Sequence, residues 1–95
     1  MFKSLDPLLH SPLRLAVMSL LITVNEAEFT YLKEKTNATS GNLSVQITKL
    51  EEAKYLSVEK GYKGKRPQTI CKLTEKGRKA FNNYVKSLNQ YINPS

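Results

Sequence analysis

The sequence predicts a mainly α fold carrying one small β-hairpin, in the order helix, helix, helix, strand, strand, helix. Three observations carry that prediction. Apolar residues recur at helical spacing in two long segments, Leu13 to Val24 and Phe81 to Ile92. Between them Leu43, Ile47 and Leu50 share one face of a further helix. After Tyr55 the period changes from helical to alternating, on both sides of a loop rich in Gly, Pro and basic residues.

The elements follow in order. Ser11-Pro12 is a helix start, with Ser as N-cap and Pro at the first helical position. Leu13, Ala16, Val17, Leu20, Leu21 and Val24 then define a first helix over about residues 12–23. Asn25-Glu26-Ala27-Glu28 breaks it. Thr30 is expected to cap a short second helix containing Tyr31, Leu32 and Lys35 and ending near Thr36-Asn37. The third helix is expected from Thr39 or Ser40 to about Lys54. Gly41 in its first turn leaves room for close approach to the backbone. Leu56, Val58 and Tyr62 alternate with Ser57 and Glu59, and Thr69, Cys71 and Leu73 alternate with Ile70 and Lys72, giving the two strands. Pro67 falls beside the turn, where a missing N–H does least harm. Thr74 caps the last helix, with Glu75 favourable in its first turn, and Asn93-Pro94 stops it.

Ninety-five residues form one domain, 1–95, without internal repeats. The formal charge of +7 is unevenly placed: residues 1–53 hold five Lys/Arg against six Asp/Glu, and residues 54–95 hold ten against two. An excess of eight positive charges in the second half points to a polyanion, nucleic acid before membrane. The longest apolar run, Leu15–Val24, is interrupted by Ser19 and Thr23 and falls short of the about 20 residues of a membrane span. No charged segment with a small-residue cleavage site opens the chain. Cys71 is the only cysteine, so an intrachain disulfide is impossible and a cytoplasmic location is the expectation. His10 and Cys71 are each solitary, which argues against a metal site, a nucleophilic triad or any cofactor. Gly61, Gly64 and Gly77 form no phosphate-cradling pattern, and no enzyme activity is expected. Cys71 reads as a small core hydrophobe.

The third helix and the hairpin carry the function. Thr39, Ser40, Asn42, Ser44, Gln46 and Lys49 make a face of short polar groups opposite the apolar one. Such side chains reach base edges in a major groove without blocking approach, and Asn and Gln pair bidentately with adenine. Lys60, Lys63, Lys65 and Arg66 crowd the hairpin tip, where they suit phosphate contact, and Thr69 offers a further hydroxyl. Arg66 is the strongest candidate, because its guanidinium forks bidentately and is weakly hydrated. Together these features describe a helix-turn-helix with a basic wing.

Four strings, in order, resemble the small single-domain winged helix-turn-helix transcriptional regulators of the MarR broad group. They are Ser11-Pro12-Leu13-Arg14, Phe29-Thr30-x-Leu32-Lys33-Glu34, Asn42-Leu43-Ser44-x-x-Ile47-x-Lys49-Leu50-Glu51, and Leu73-Thr74-x-x-Gly77-Arg78. The resemblance runs from Leu5 to about Asn89. It departs at Lys54-Tyr55, where these proteins usually carry a glycine before the strand. The resemblance implies that the third helix enters the major groove and that the wing touches the backbone or minor groove. It also implies a homodimer built by the N-terminal segment and the last helix, about residues 74–92, with repression the commoner role.

The apolar residues at the two ends exceed what one small core requires, which supports the same dimer. Phe2, Leu5, Leu9, Tyr84, Leu88 and Tyr91 are its expected contacts. The partners expected are therefore double-stranded DNA, as an inverted-repeat operator, and a second copy of the chain, while any effector ligand is unknown. Two rival readings are a winged helix used only for protein–protein contact and one that binds RNA. The first would lack a basic wing, whereas charge alone does not exclude the second.

Overall fold

A computed structural model describes residues 4–93. The first helix, α1 (Pro12–Val24), starts where Ser11 is extended, although the Ser11 side chain makes no capping bond. Val17, Met18 and Leu21 are fully buried and place one stripe of α1 in the core. Each such side chain contributes about 1.5–3 kcal/mol by leaving water. Asn25 ends α1 with a positive φ of 68°.

Directly after it comes a strand that the sequence does not announce, β1 (Glu26–Glu28). Three residues are too few to display a period, and the partner strand lies far along the chain. Glu26, Ala27 and Glu28 pair with Lys72, Cys71 and Ile70. The second helix, α2 (Phe29–Thr36), then begins two residues earlier than expected. Thr30 is not its N-cap. Glu28 holds that position while still paired to the sheet, and its carboxylate accepts from Gln68 instead of capping the helix.

Thr39 caps α3 (Ser40–Glu52), its hydroxyl accepting from the Asn42 N–H at 3.2 Å. Leu43, Ile47 and Leu50 are buried, as their spacing requires. The helix ends two residues before the expected Lys54. Tyr55 N–H donates to the Leu50 carbonyl and Lys54 N–H to the Glu51 carbonyl, a Schellman ending. Lys54 takes the left-handed position of that motif, with φ 66°. The glycine usual in the resembling proteins is explained by this geometry, and lysine occupies it at a cost of about 1–2 kcal/mol.

The hairpin comprises β2 (Leu56–Lys63) and β3 (Arg66–Leu73), paired from Leu56↔Leu73 out to Lys63↔Arg66. Gly64 and Lys65 alone form the turn, and only Gly64 has a positive φ, 67°. A positive φ at the first turn position alone marks a type II′ hairpin, which matches the twist of the strands. The sheet order is β1-β3-β2, so β3 is central. Cys71 on β3 is fully buried, and burial, with the Glu51 charge adding, pushes its thiol up to about 11. That makes it a packing group rather than a nucleophile.

Thr74 caps α4 (Glu75–Ile92) by accepting from the Gly77 N–H at 3.0 Å. The same hydroxyl donates to the Lys54 carbonyl at 2.6 Å, and Thr74 N–H donates to the Tyr55 carbonyl at 3.2 Å. A Cβ on Gly77 would lie 2.0 Å from that Tyr55 oxygen. The start of α4 therefore rests directly on the backbone that leaves α3. The radius of gyration is 14.3 Å, against about 12 Å for a compact chain of this length. Projection of the outer hairpin fits that excess, since residues 60–67 are exposed throughout.

Two substitutions probe this junction in opposite directions. Gly77→Ala will lower unfolding free energy in urea by about 3 kcal/mol or more, because both clashing groups are backbone. Lys54→Gly will raise it by about 0.5–1 kcal/mol, relief of the left-handed strain exceeding the added freedom of the unfolded chain. Equal stability of Gly77→Ala and wild type would contradict the close approach.

Candidate nucleic-acid interface

With Leu43, Ile47 and Leu50 directed into the core, a period of 3.6 residues determines what α3 shows to solvent. The crest opposite the core is Gly41, Val45, Thr48 and Glu52, all exposed. Ser40 and Ser44 lie on one flank, and Asn42, Gln46 and Lys49 on the other. The expected face is thus two flanks around a crest that the sequence reading passed over. Its signal was present in the same periodicity, since Val45 and Thr48 sit half a turn from the buried residues. Val45 is 52 % exposed and is the one branched apolar side chain on that crest. Glu52 closes the crest with a negative charge, so a polyanion is favoured at the N-terminal two-thirds of α3.

The Asn/Gln pair is built into a network. Arg14, half-buried on α1, donates its Nε to the Leu8 carbonyl at 2.6 Å and a second guanidinium N–H to Gln46 Oε1. Gln46 Nε2 donates to Asn42 Oδ1 at 3.0 Å. Gln46 is consequently half-buried, and its amide is engaged at both ends. It reaches a base only by exchanging these partners, whereas Asn42 uses only its oxygen here. Thr39 is committed to its cap and serves α3 before any ligand. Ser40, Ser44 and Lys49 are exposed.

The network continues away from α3. Asp6 Oδ1 accepts from the Leu8 N–H at 2.9 Å, and Asp6 Oδ2 accepts from the Tyr55 hydroxyl. Burial, the Asp6 hydrogen bond and the Asp6 charge push that phenol up to about 12. The Asp6 turn, α1 and the flank of α3 are therefore tied by one chain of polar contacts.

Lys60, Lys63, Lys65 and Arg66 are all exposed on the projecting hairpin. Thr69 sits deeper, half-buried and paired with Lys60. It lines a cleft of about 570 Å³ between the hairpin and the start of α2, together with Lys63, Arg66, Thr30 and Glu28. The structure thus gathers Lys63, Arg66 and Thr69 around that cleft and leaves Lys60 and Lys65 outside it. Among the described residues, no group of three His, Cys, Asp or Glu side chains is placed to hold a metal ion. No helix among them is long and apolar enough to cross a membrane.

The expected dimer contacts divide. Leu9 is fully buried and Tyr84 is 4 % exposed, both inside the chain's own core, with the Tyr84 hydroxyl hydrogen-bonded to His10 Nδ1 at 3.0 Å. Neither remains available as a surface contact. Leu5 and Leu88 are partly buried against the core, Tyr91 is 49 % exposed, and Phe2 lies outside the described residues. Besides Tyr91, α4 exposes Val85 and Ile92. With Phe81 and Leu88 they form a seam at i, i+4, i+7 and i+11, the spacing that packs one helix along another.

Residues 13–92 match the family described as winged helix DNA-binding domain. An uncharacterized protein of Methanocaldococcus jannaschii is 43% identical over 76 residues, covering 80% of this chain and 83% of its own. The solved structure of a transcriptional regulator homologue from Pyrococcus horikoshii superimposes with a TM-score of 0.86 at 28% identity, over 92% of this chain and 86% of that one. The structure of NadR in complex with 4-hydroxyphenylacetate is similar in fold, with a TM-score of 0.74 at 20% identity over 93% and 64% of the two chains. The architecture read from the sequence is that of these solved structures, and the chain belongs to the winged helix DNA-binding domain family.

Proposed function

We propose that this protein is a homodimeric transcriptional regulator, a repressor, that acts in the cytoplasm by binding an inverted-repeat operator in double-stranded DNA. The N-terminal part of α3 enters the major groove, and the wing contacts the backbone or minor groove. The observation that carries this reading is the pairing of an exposed, almost uncharged α3 face with a projecting hairpin whose tip is wholly cationic. The first can read base edges, and the second supplies attraction to any duplex. A module devoted to protein contacts has no use for four exposed cations on the wing. Membership of a DNA-binding family and likeness to a regulator homologue support the same conclusion.

Dimerisation is assigned to the α4 seam of Phe81, Val85, Leu88 and Ile92 rather than to Leu9 and Tyr84. A seam of this spacing is self-complementary and pairs with its own copy about a two-fold axis. Two α3 helices so related read half-sites about 10 base pairs apart.

Selection from a random duplex pool tests the function: the expected result is an enriched inverted repeat, and no enrichment over input removes the reading. Lys65→Ala will weaken all duplexes alike and flatten the dependence of log affinity on log salt by about 2 per dimer, one phosphate contact being lost per subunit. An unchanged slope would remove Lys65 from the backbone. The double substitution Val85→Glu with Ile92→Glu will give a folded monomer by sedimentation and circular dichroism. A wild type that is strictly monomeric at micromolar concentration would refute the dimer.

A further inference from the structure

We infer that Val45 reads the C5-methyl group of a thymine in each half-site. This inference rests on the reading of α3 as the groove-entering helix and adds the identity of the base met by its crest. Val45 is 52 % exposed at the centre of the outward face, with Asn42 and Lys49 to one side and Ser44 to the other. Nothing in the fold accounts for it: it belongs to no core contact, and valine is a poorer helix former than the alanine that would serve an exposed site. The chemistry it presents is two methyl groups and no donor or acceptor. Among the groups displayed in the major groove, only the thymine methyl is its complement.

The surroundings favour the approach this contact needs. One turn earlier Gly41 has no side chain, and a Cβ there would meet nothing within 4 Å. The backbone can therefore come close enough for a side chain as short as valine to touch a base. One turn later Thr48 is exposed and adds a methyl of its own. The polar flank is meanwhile restrained, since Gln46 is held by Arg14 and Asn42. At Val45 the crest is apolar between polar flanks, a division that suits a methyl between hydrogen-bonding edges.

The test uses the full-length protein and its selected duplex, with each thymine replaced in turn by deoxyuridine, which removes the methyl alone. Titrations by fluorescence anisotropy should find one position per half-site where the replacement weakens wild type about fourfold, the effect of losing one buried methyl. Val45→Ala should bind the thymine and deoxyuridine duplexes equally while keeping wild-type thermal stability. A flat deoxyuridine series for wild type, or a loss of the same size in Val45→Ala, would overturn the inference while leaving DNA binding intact. Absence of binding to every duplex would instead remove the underlying reading and this inference with it. Because the wild-type series needs no variant, a Val45→Ala protein that failed to fold would still leave that series to decide.

Discussion

The contact on which the rest of the structure depends is the close approach of Gly77 to the Tyr55 carbonyl. A single Cβ would put an atom 2.0 Å from that oxygen, so only glycine lets α4 start where it does. Around it Thr74 spends its hydroxyl twice, accepting from Gly77 N–H and donating to the Lys54 carbonyl. The end of α3, the root of β2 and the start of α4 are thereby held at one point. Asn25 joins them, its carbonyl accepting from Leu73 N–H at 2.8 Å and its side-chain oxygen from Arg78. Three helices and both hairpin strands thus converge on a few backbone groups. The directions of α3 and of the wing follow from that convergence.

This arrangement explains a local oddity. Lys54 accepts a left-handed conformation because the Schellman ending of α3 requires it, and the hydrogen bonds of that ending and of Thr74 hold the strain in place. A longer or shorter α3 would shift the register of β2 and carry the tip away with it. Placing α3 and the charged wing on opposite sides of one hydrogen-bonded junction fixes the distance between them. A binding surface made of two separate parts needs that constancy, because contacts at one part then favour contacts at the other.

A second line of order runs from Tyr55 through Asp6 and Leu8 to Arg14, Gln46 and Asn42. It fastens the segment before α1 to the flank of α3. Arg14 is the pivotal member, since its planar guanidinium serves a backbone carbonyl and a side-chain amide together. The charge distribution acts on a longer scale. Exposed cations on the wing extend attraction over about 8–10 Å of salt solution, whereas the nearly neutral face of α3 acts only on contact. In the proposed function, affinity and selectivity thereby fall to different elements.

Much was legible in the sequence itself. Periodicity alone located α1, α3, the hairpin and α4, because each buries a stripe or face whose spacing is set by local geometry. Thr74 was readable as a cap because its hydroxyl precedes a helical period and can accept an orphan N–H, and the basic tip was readable because like charges gather only where water or a polyanion surrounds them. What the sequence did not reveal was non-local. The strand β1 exists because Glu26–Glu28 find Lys72, Cys71 and Ile70, and no local period encodes that pairing. Leu9 and Tyr84 read from sequence as dimer contacts but are buried in the chain's own core, because apolar surplus at two chain ends looks the same whether the ends cover each other or a partner. The engagement of Gln46 by Arg14 joins residues 32 positions apart, and only packing brings them together. The sequence by itself determined which elements form and which faces are apolar, since both follow from backbone period and side-chain solubility. Tertiary structure alone decided which polar groups are already partnered and which remain for a ligand, because hydrogen bonds are settled by distances that folding sets.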